Sequence, residues 1–255
     1  MNHGGQRRER ILHLLIERGG AQVGELTALL GVSAVTVRSD LAALERLGKL
    51  TRTHGGALLL RGRPPEQHFR HKDQLNTDGK ERIGARAALL VAGGDKIIID
   101  SGTTTAMLAR HLRAVPNLTV MTNGLNVANA LAMANSVTVL LTGGQLRAQS
   151  LSMQGAQAQA CLEQYSFDKL FLGVDGCDPQ FGLTTHDEAE ANLNRSMAAR
   201  ARQVIVLADA SKFGQVTLHH ICPLERVHAI ITDGRPAERH CARLQQLGIE
   251  LIIAE

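Results

Sequence analysis

The sequence predicts an α/β main domain built on a mainly parallel sheet, preceded by a small domain of three helices and a β-hairpin. Two changes along the 255-residue chain carry that expectation. The first is in periodicity. Up to about residue 60, apolar residues recur at helical spacing and end in a glycine-centred hairpin, whereas from Lys80 onward short apolar strands alternate with helices. The second is in charge. Residues 1–72 carry 12 Lys+Arg against 6 Asp+Glu, whereas residues 73–255 carry 16 against 18. A basic front on a slightly acidic body suits a nucleic-acid module joined to a domain with another task.

The first helix is expected over Gln6–Arg18, where Ile11, Leu12, Leu14 and Leu15 share a face and Gly19-Gly20 ends it. Val23, Leu26, Leu29 and Leu30 form a second, short helix closed by Gly31. Ser33 is a good N-cap for a third helix, which runs to about Leu47 and ends at Gly48. Its buried stripe is Val37, Leu41, Leu44 and Leu47, and Gly31-Val32-Ser33 makes the tight turn that a helix-turn-helix needs. Lys49–Thr53 and Ala57–Leu60 read as two strands around His54-Gly55-Gly56, so residues 1–60 form a winged helix-turn-helix. Arg61–Gly79 is polar and contains Pro64-Pro65, and is expected to be a linker.

Residues 80–255 are expected to form the α/β domain. Its strands are Lys96–Ile99, Thr119–Met121, Val137–Leu141, Lys169–Val174, Gln203–Leu207, Val227–Ile231 and Glu250–Ile253. Helices are expected at Thr104–Leu112, Val127–Ala134, Glu188–Ala201 and Ala237–Leu247. Strands apolar throughout and separated by helices imply a parallel sheet covered on both faces. No internal repeat or low-complexity tract interrupts the pattern.

Composition excludes several classes. Hydrophobic residues at 44% and charged residues at 20% argue for a sizeable core and against global disorder. The longest apolar run, Ala87–Ala92, is far short of the ~20 residues of a membrane span. The start, MNHGGQRRER, lacks the apolar stretch of a secretory signal. Cys161, Cys177, Cys222 and Cys241 form no CxxC and no tight pair, which suits reduced thiols in a cytoplasmic protein. With no Trp and one Tyr, base stacking on aromatic platforms is not expected. His219-His220-x-Cys222 and His240-Cys241 lack partner pairs at zinc spacing, so no metal is expected.

Off the buried stripe of the third helix lie Ser33, Thr36, Ser39, Asp40 and Ala43, with Arg38 beside them. Small hydroxyl residues and an Arg at a helix N-terminus suit a major-groove probe, since free N–H groups meet phosphates and Arg38 reaches a guanine or a phosphate. Arg52, His54 and Gly55 on the hairpin are placed to touch the DNA backbone or minor groove. Taken singly, Ser33 also fits a plain cap and Arg38 a plain surface charge.

In the second domain, Lys96–Ile99 runs into Asp100-Ser101-Gly102-Thr103-Thr104-Thr105 and then a helix. Glycine, hydroxyls and outward N–H groups there form an anion cradle suited to a phosphoryl group. No Lys follows the glycine and GxGxxG is absent, so neither a nucleotide P-loop nor a dinucleotide site is expected, and no cofactor is. Similar strand ends recur at Thr122-Asn123-Gly124, Thr142-Gly143-Gly144 and Gly173-Val174-Asp175-Gly176, expected to line one crevice. Glu188 and Lys212 follow at a later helix start and strand end. They suit sugar hydroxyls or a second charge, and equally an ordinary helix start and a solvated loop.

Val32-Ser33-x-x-Thr36-Val37-Arg38-Ser39-Asp40-Leu41-x-x-Leu44-Glu45-x-x-Gly48 with Arg52-Thr53-His54-Gly55-Gly56-Ala57 resembles the DeoR-type bacterial sugar-operon regulators. The second half is similar too, through Asp100-Ser101-Gly102-Thr103-Thr104, Thr122-Asn123, Thr142-Gly143-Gly144, Gly173-Val174-Asp175-Gly176 and Ser211-Lys212-Phe213. Within that family MTNGLNVANAL, LTGGQLRAQSLSMQG and THDEAEANLNR are most similar to regulators of N-acetylgalactosamine operons. The resemblance spans about residues 6–253. It implies a DNA-binding repressor whose second domain folds like ribose-5-phosphate isomerase and is released from double-stranded operator DNA by a phosphorylated sugar. It implies that Ser101, Gly102, Thr103 and Thr104 grip the phosphate, with Gly143, Gly144 and Arg147 nearby. It places Asp100, Asn123, Asp175, Gly176, Glu188 and Lys212 towards the sugar, and leaves out Asn194, where many relatives carry Lys. A homo-oligomer, dimer or tetramer, follows from two recognition helices reading paired half-sites, and no membrane partner is implied.

Two alternatives stand beside the repressor. One is a sugar-phosphate isomerase-like enzyme with a DNA-binding appendage, using Asp175 and Glu188 as acid and base and Lys212 to stabilise an enediolate. A basic winged helix gives a catalyst nothing evident, so no catalytic residue is expected. The other is an activator using the same two domains.

Overall fold

The computed structural model describes residues 3–18, 20–46, 50–52, 55–59 and 66–255, and the chain divides into two compact units, Met1–Pro65 and Glu66–Glu255. Among the described residues no single helix is long and apolar enough to cross a membrane.

The first unit runs α1 (His3–Arg18), β1 (Gly20–Gln22), α2 (Val23–Leu30), α3 (Ala34–Arg46), β2 (Leu50–Arg52) and β3 (Gly56–Leu59). Glu25 caps the start of α2 by accepting the Gln22 N–H at 3.1 Å. Gly31, left-handed at φ +65°, ends it and donates its N–H to Thr27 O. The short turn lets α2 and α3 meet at 110°. Ile11 and Leu15 of α1, Leu26 of α2 and the Val37–Leu41–Leu44 stripe of α3 close on Leu50 and Ala57 as one small core. Leu47, Gly48 and His54, expected at the end of the stripe and in the hairpin turn, lie outside the described residues. The wing has three strands rather than two. Gly20–Gln22, which begins at the second glycine of the Gly19-Gly20 pair read from sequence as the helix end, pairs antiparallel with β3 on the edge opposite β2, covering backbone groups that a two-stranded ribbon leaves open.

The second unit runs α4 (Phe69–Gln74), α5 (Thr77–Ala88), β4 (Lys96–Ile99), α6 (Thr103–His111), β5 (Leu118–Thr122), α7 (Leu125–Leu131), β6 (Val137–Leu141), β7 (Gln145–Arg147), β8 (Ser152–Gln154) and α8 (Ala156–Glu163). It continues with β9 (Phe167–Gly173), β10 (Gly176–Asp178), β11 (Gly182–Thr185), α9 (Glu188–Arg200), β12 (Ala201–Leu207), β13 (His219–Cys222), β14 (Ala229–Thr232), α10 (Glu238–Gln246) and β15 (Glu250–Ile253). The expected linker is therefore corrected. Within Arg61–Gly79, Phe69–Gln74 folds as α4 and Thr77–Gly79 as the first turn of α5, while residues 61–65 lie outside the described residues. Glu66, Gln67, Lys72 and Asn76 line a polar cavity and others such as Arg70 and Gln74 are exposed, which is why the stretch carries no apolar periodicity.

Seven strands form one parallel sheet in the order β15-β14-β12-β9-β4-β5-β6. Side-chain alternation sends Ile98, Met121, Leu170, Leu172, Val204 and Val206 to one face, under α8 and α9. Ile97, Ile99, Val120, Phe171, Ile205 and Leu207 face the other, under α5, α6 and α7. Gly84 lets α5 and α6 touch, since a Cβ there would lie 2.7 Å from Leu108 N. From β4 the chain steps outward through β5 and β6, then restarts at β9 on the other side. The C-terminal ends of β4 and β9 thus flank the switch point, where open parallel sheets leave a crevice.

Candidate functional site

A cavity of about 340 Å³ opens at that switch point. The turns after β4 (Asp100–Thr104) and β9 (Gly173–Asp175) form its floor. The ends of β12 (Ala208–Lys212) and β14 (Asp233) form one side, and Glu66, Lys72 and Asn76 before α5 form a wall. Thr105 Oγ1 bonds the Asp100 and Gly102 carbonyls at 2.6 and 2.8 Å, and Asn126 Nδ2 bonds those of Ser101 and Gly102 at 3.0 and 3.1 Å. With these carbonyls tied back, the first N–H groups of α6 face the cavity, and the N-cap Gly102 offers no side chain to satisfy them. Lys212 sits at the rim, and its ammonium has no partner among the described residues. Lys80, pushed below its usual range by burial, donates to the Lys72 carbonyl.

Deeper in, three carboxyls gather around one ammonium. Lys72 Nζ lies 2.5 Å from Asp175 Oδ1, and Thr185 Oγ1 lies 3.1 Å from Asp175 Oδ2 and 2.7 Å from Glu190 Oε1. Burial would raise Asp175, but Lys72, His186 and Lys212 outweigh it and hold this carboxyl well below the usual range. Burial first, then the charges of Asp175 and Asp100, push Glu190 up to about 8. Asp100 is pushed up to about 6 by burial, against hydrogen bonds from Ser101 and Gly173. Thr185 has one proton and two carboxyls to serve. The contacts are all satisfied when Glu190 is protonated and donates to Thr185, which donates to Asp175.

The structure gathers Asp100, Ser101, Gly102, Thr103, Thr104, Asp175 and Lys212 from the sequence-expected set around this cavity. The others stand elsewhere. Asn123, Gly143 and Gly144 follow β5 and β6, on the far side of β4 from β9, so the four glycine-bearing strand ends do not share one crevice. Asn123 is buried, with neither side-chain atom partnered among the described residues. A Cβ at Gly144 would sit 2.5 Å from Gln154 O, so that glycine admits the β7–β8 hairpin rather than a ligand. Arg147 is held by Glu66, and its Nε lies 3.4 Å from Asp187. Gly176 packs against Gln215 O at the start of β10. Glu188 is exposed, and Glu190, two residues further along α9, lines the cavity instead. Sequence reasoning missed Glu190 as a site residue, and also Lys72 and Lys80. Glu190 was visible only as one of two acidic residues opening a helix, and both lysines sat in or beside a stretch read as linker.

In the first unit Ser33 caps α3, its Oγ accepting the Thr36 N–H at 3.2 Å. Arg38 and Ser39 are exposed on the helix's open side and Thr36 is half-buried. Asp40 is corrected: it is buried and pairs with Arg7 Nε of α1 at 2.5 Å, so it braces the probe helix rather than facing outward. Arg52 is drawn back onto Glu45, Nε to Oε2 at 2.8 Å. Gly55 O accepts the Val23 N–H at 2.8 Å, tying the wing to the start of α2.

Residues 7–62 match the model of the DeoR-like helix-turn-helix domain, and residues 75–234 match that of the DeoR C terminal sensor domain. The chain belongs to the DeoR family. Among DeoR-family relatives, a protein of Escherichia coli O157:H7 named for transcriptional repression of the aga operon is 45% identical over 97% of this chain and 93% of its own length. The HTH-type transcriptional repressor GlcR of Bacillus subtilis (strain 168) is 34% identical over 96% of this chain and 94% of its own. Among solved structures, ribose 5-phosphate isomerase A of Methanocaldococcus jannaschii is similar at a TM-score of 0.40 and 20% identity, over 54% of this chain and 55% of that one. As a DeoR-family member the chain is a DNA-binding transcriptional regulator. Its first unit is the DNA-binding domain, its second the sensor domain, and its named relatives are regulators.

Proposed function

We propose that this regulator represses a sugar-catabolic operon, of amino-sugar type as in its aga-named relative, and that a phosphorylated sugar in the switch-point cavity releases it from its operator. The observation that carries this is the pairing of an uncapped helix N-terminus with an unpaired Lys212 at one cavity. A phosphate there meets the N–H groups of Thr103 and Thr104 and the charge of Lys212. Asp100, Asp175 and Glu190 then accept from the sugar hydroxyls. Coupling to DNA follows from chain order, because α4, which forms a cavity wall, is the first element after the helix-turn-helix unit. A ligand that shifts α4 needs a bias of only about 1–3 kcal/mol between the two states to change operator affinity 5- to 150-fold. Palindromic half-sites require at least a homodimer.

The test is fluorescence anisotropy of the purified protein on its upstream DNA, titrated with phosphorylated hexosamines and ketoses at two salt concentrations. Release by one sugar phosphate, and its loss in Thr104→Val or Lys212→Gln, supports the proposal. Specific DNA binding unmoved by every sugar phosphate refutes the effector assignment. An isomerase-like reading has one observation in its favour, the carboxyl of Glu190 raised towards neutrality. It requires turnover of a sugar phosphate that disappears in Glu190→Gln.

A further inference from the structure

At the inner end of the cavity three carboxyls share one ion-paired ammonium. Asp100, Asp175 and Glu190 approach one another from the end of β4, the turn after β9 and the start of α9, and Lys72 alone is paired with them. His186 stands near Asp175, and burial holds its ring below the usual range, so it favours the neutral form. Lys212 also acts on Asp175 and Arg147 on Glu190, but neither makes an ion pair with these carboxyls among the described residues, and Thr185 is uncharged. The one paired ammonium does not belong to the floor of the site. It is carried in on α4, whose backbone is joined to the β7–β8 hairpin through Phe69 N to Gln149 O at 2.9 Å. A second observation points the same way. Asn194, one turn beyond Glu190 on the same face of α9, is fully buried, and neither its Oδ1 nor its Nδ2 has a partner among the described residues. Buried amides without partners mark places where a ligand or water supplies the missing bonds.

We propose that this end of the cavity is a subsite for a protonated amine, so that the ligand is a sugar phosphate with a free ammonium rather than an acetamide or a hydroxyl. Lys72 is a tethered counterpart of that amine. The proposal rests on the cavity being the effector site and adds the class of effector. A ligand ammonium entering beside Asp175 and Glu190 pairs with the Glu190 carboxylate, so that Glu190 ionises and its proton goes to solvent. It also competes with Lys72 for Asp175 and so loosens α4.

Isothermal titration calorimetry on the full-length protein at pH 7, in two buffers of different ionisation enthalpy, tests this with galactosamine 6-phosphate, N-acetylgalactosamine 6-phosphate and galactose 6-phosphate. The amine is expected to bind about tenfold or more tighter than the other two, and to be the only one that releases a proton. In Glu190→Gln both the preference and the proton release should disappear. In Lys72→Met, where the competing ammonium is gone, the preference for the amine should widen. Equal affinity for all three sugars, or binding of the amine without proton release, overturns the amine subsite while leaving the phosphate end intact. Binding of none of them overturns the effector reading together with it.

Discussion

Asp100→Asn should make the sensor domain's stability less dependent on pH, by an amount the site geometry sets. Asp100 is 3% exposed, and its carboxyl moves from an ordinary 3.8 to about 6 in the folded chain. Between those values the folded state holds a proton that the unfolded chain has lost, so stability falls as pH rises through the interval. Each tenfold change in proton affinity is worth ~1.4 kcal/mol, so the ionised side chain costs about 3 kcal/mol once the pH is above 6. About 2 kcal/mol of this is lost between pH 4.5 and pH 7. Glu190, raised from 4.5 to about 8, loses stability over the same window, but it does so in both proteins and the comparison between them subtracts that loss. The asparagine variant keeps the shape of the side chain without the charge. Urea unfolding of both proteins at pH 4.5 and pH 7, followed on the sensor-domain transition, gives a double difference from which pH-independent effects of the substitution cancel. The wild type should lose about 2 kcal/mol more than the variant over that window. Parallel pH profiles would refute the assignment of Asp100 as a buried, strained carboxyl. A gain in stability together with a loss of sugar-phosphate response would mark the strain as serving the site.

Arg38→Ala should weaken operator binding about tenfold, and lower the salt dependence by about one counterion if the contact is to phosphate. The melting temperature should not change, and unaltered anisotropy curves would count against α3 as the probe helix. Leu41→Ala removes a buried side chain from the small core of the first unit, at a cost of about 2–5 kcal/mol. That is comparable to the whole stability of a domain this small, so DNA binding should be lost while sensor-domain unfolding is retained. Gly84→Ala puts a Cβ 2.7 Å from Leu108 N and should destabilise the sensor domain by about 1–3 kcal/mol in urea unfolding.

All seven strands of the parallel sheet were legible, because strands buried on both faces are written as unbroken apolar runs such as Ile97–Ile99 and Val204–Leu207. The helix-turn-helix was legible for a related reason: its stripe, Gly31 turn and Ser33 cap are all local. The short strands β7, β8, β10, β11 and β13 were missed. They are three or four residues long, too short to show an alternating pattern, even though β7–β8 and β10–β11 are adjacent hairpins and only β11–β13 joins distant stretches. The site was legible at the strand ends, where glycine and hydroxyls cluster at Asp100–Thr104. It was not legible in which strand ends meet, since only the order β9-β4-β5 separates Asp175 from Asn123. Lys72 was hidden because a polar helix whose polar side faces a polar cavity looks like solvated chain. Glu188 and Glu190 could not be ranked either. Two residues on a helix are about 200° apart around its axis, and only the packing of α9 decides which faces inward.

Among the described residues, the buried hydrophobic cluster of the first unit lies between Ile11 and Ala57, and those of the second lie between Ile83 and Ala254. A lineage can therefore change the sequence it reads on DNA by substitutions on α3 without disturbing the small molecule it answers to, and the reverse. What such a lineage must keep is the short stretch from Glu66 to Asn76, because that stretch is both the exit from one half and a wall of the other's cavity. Grafting a foreign sensor onto this reader should succeed or fail at those few positions.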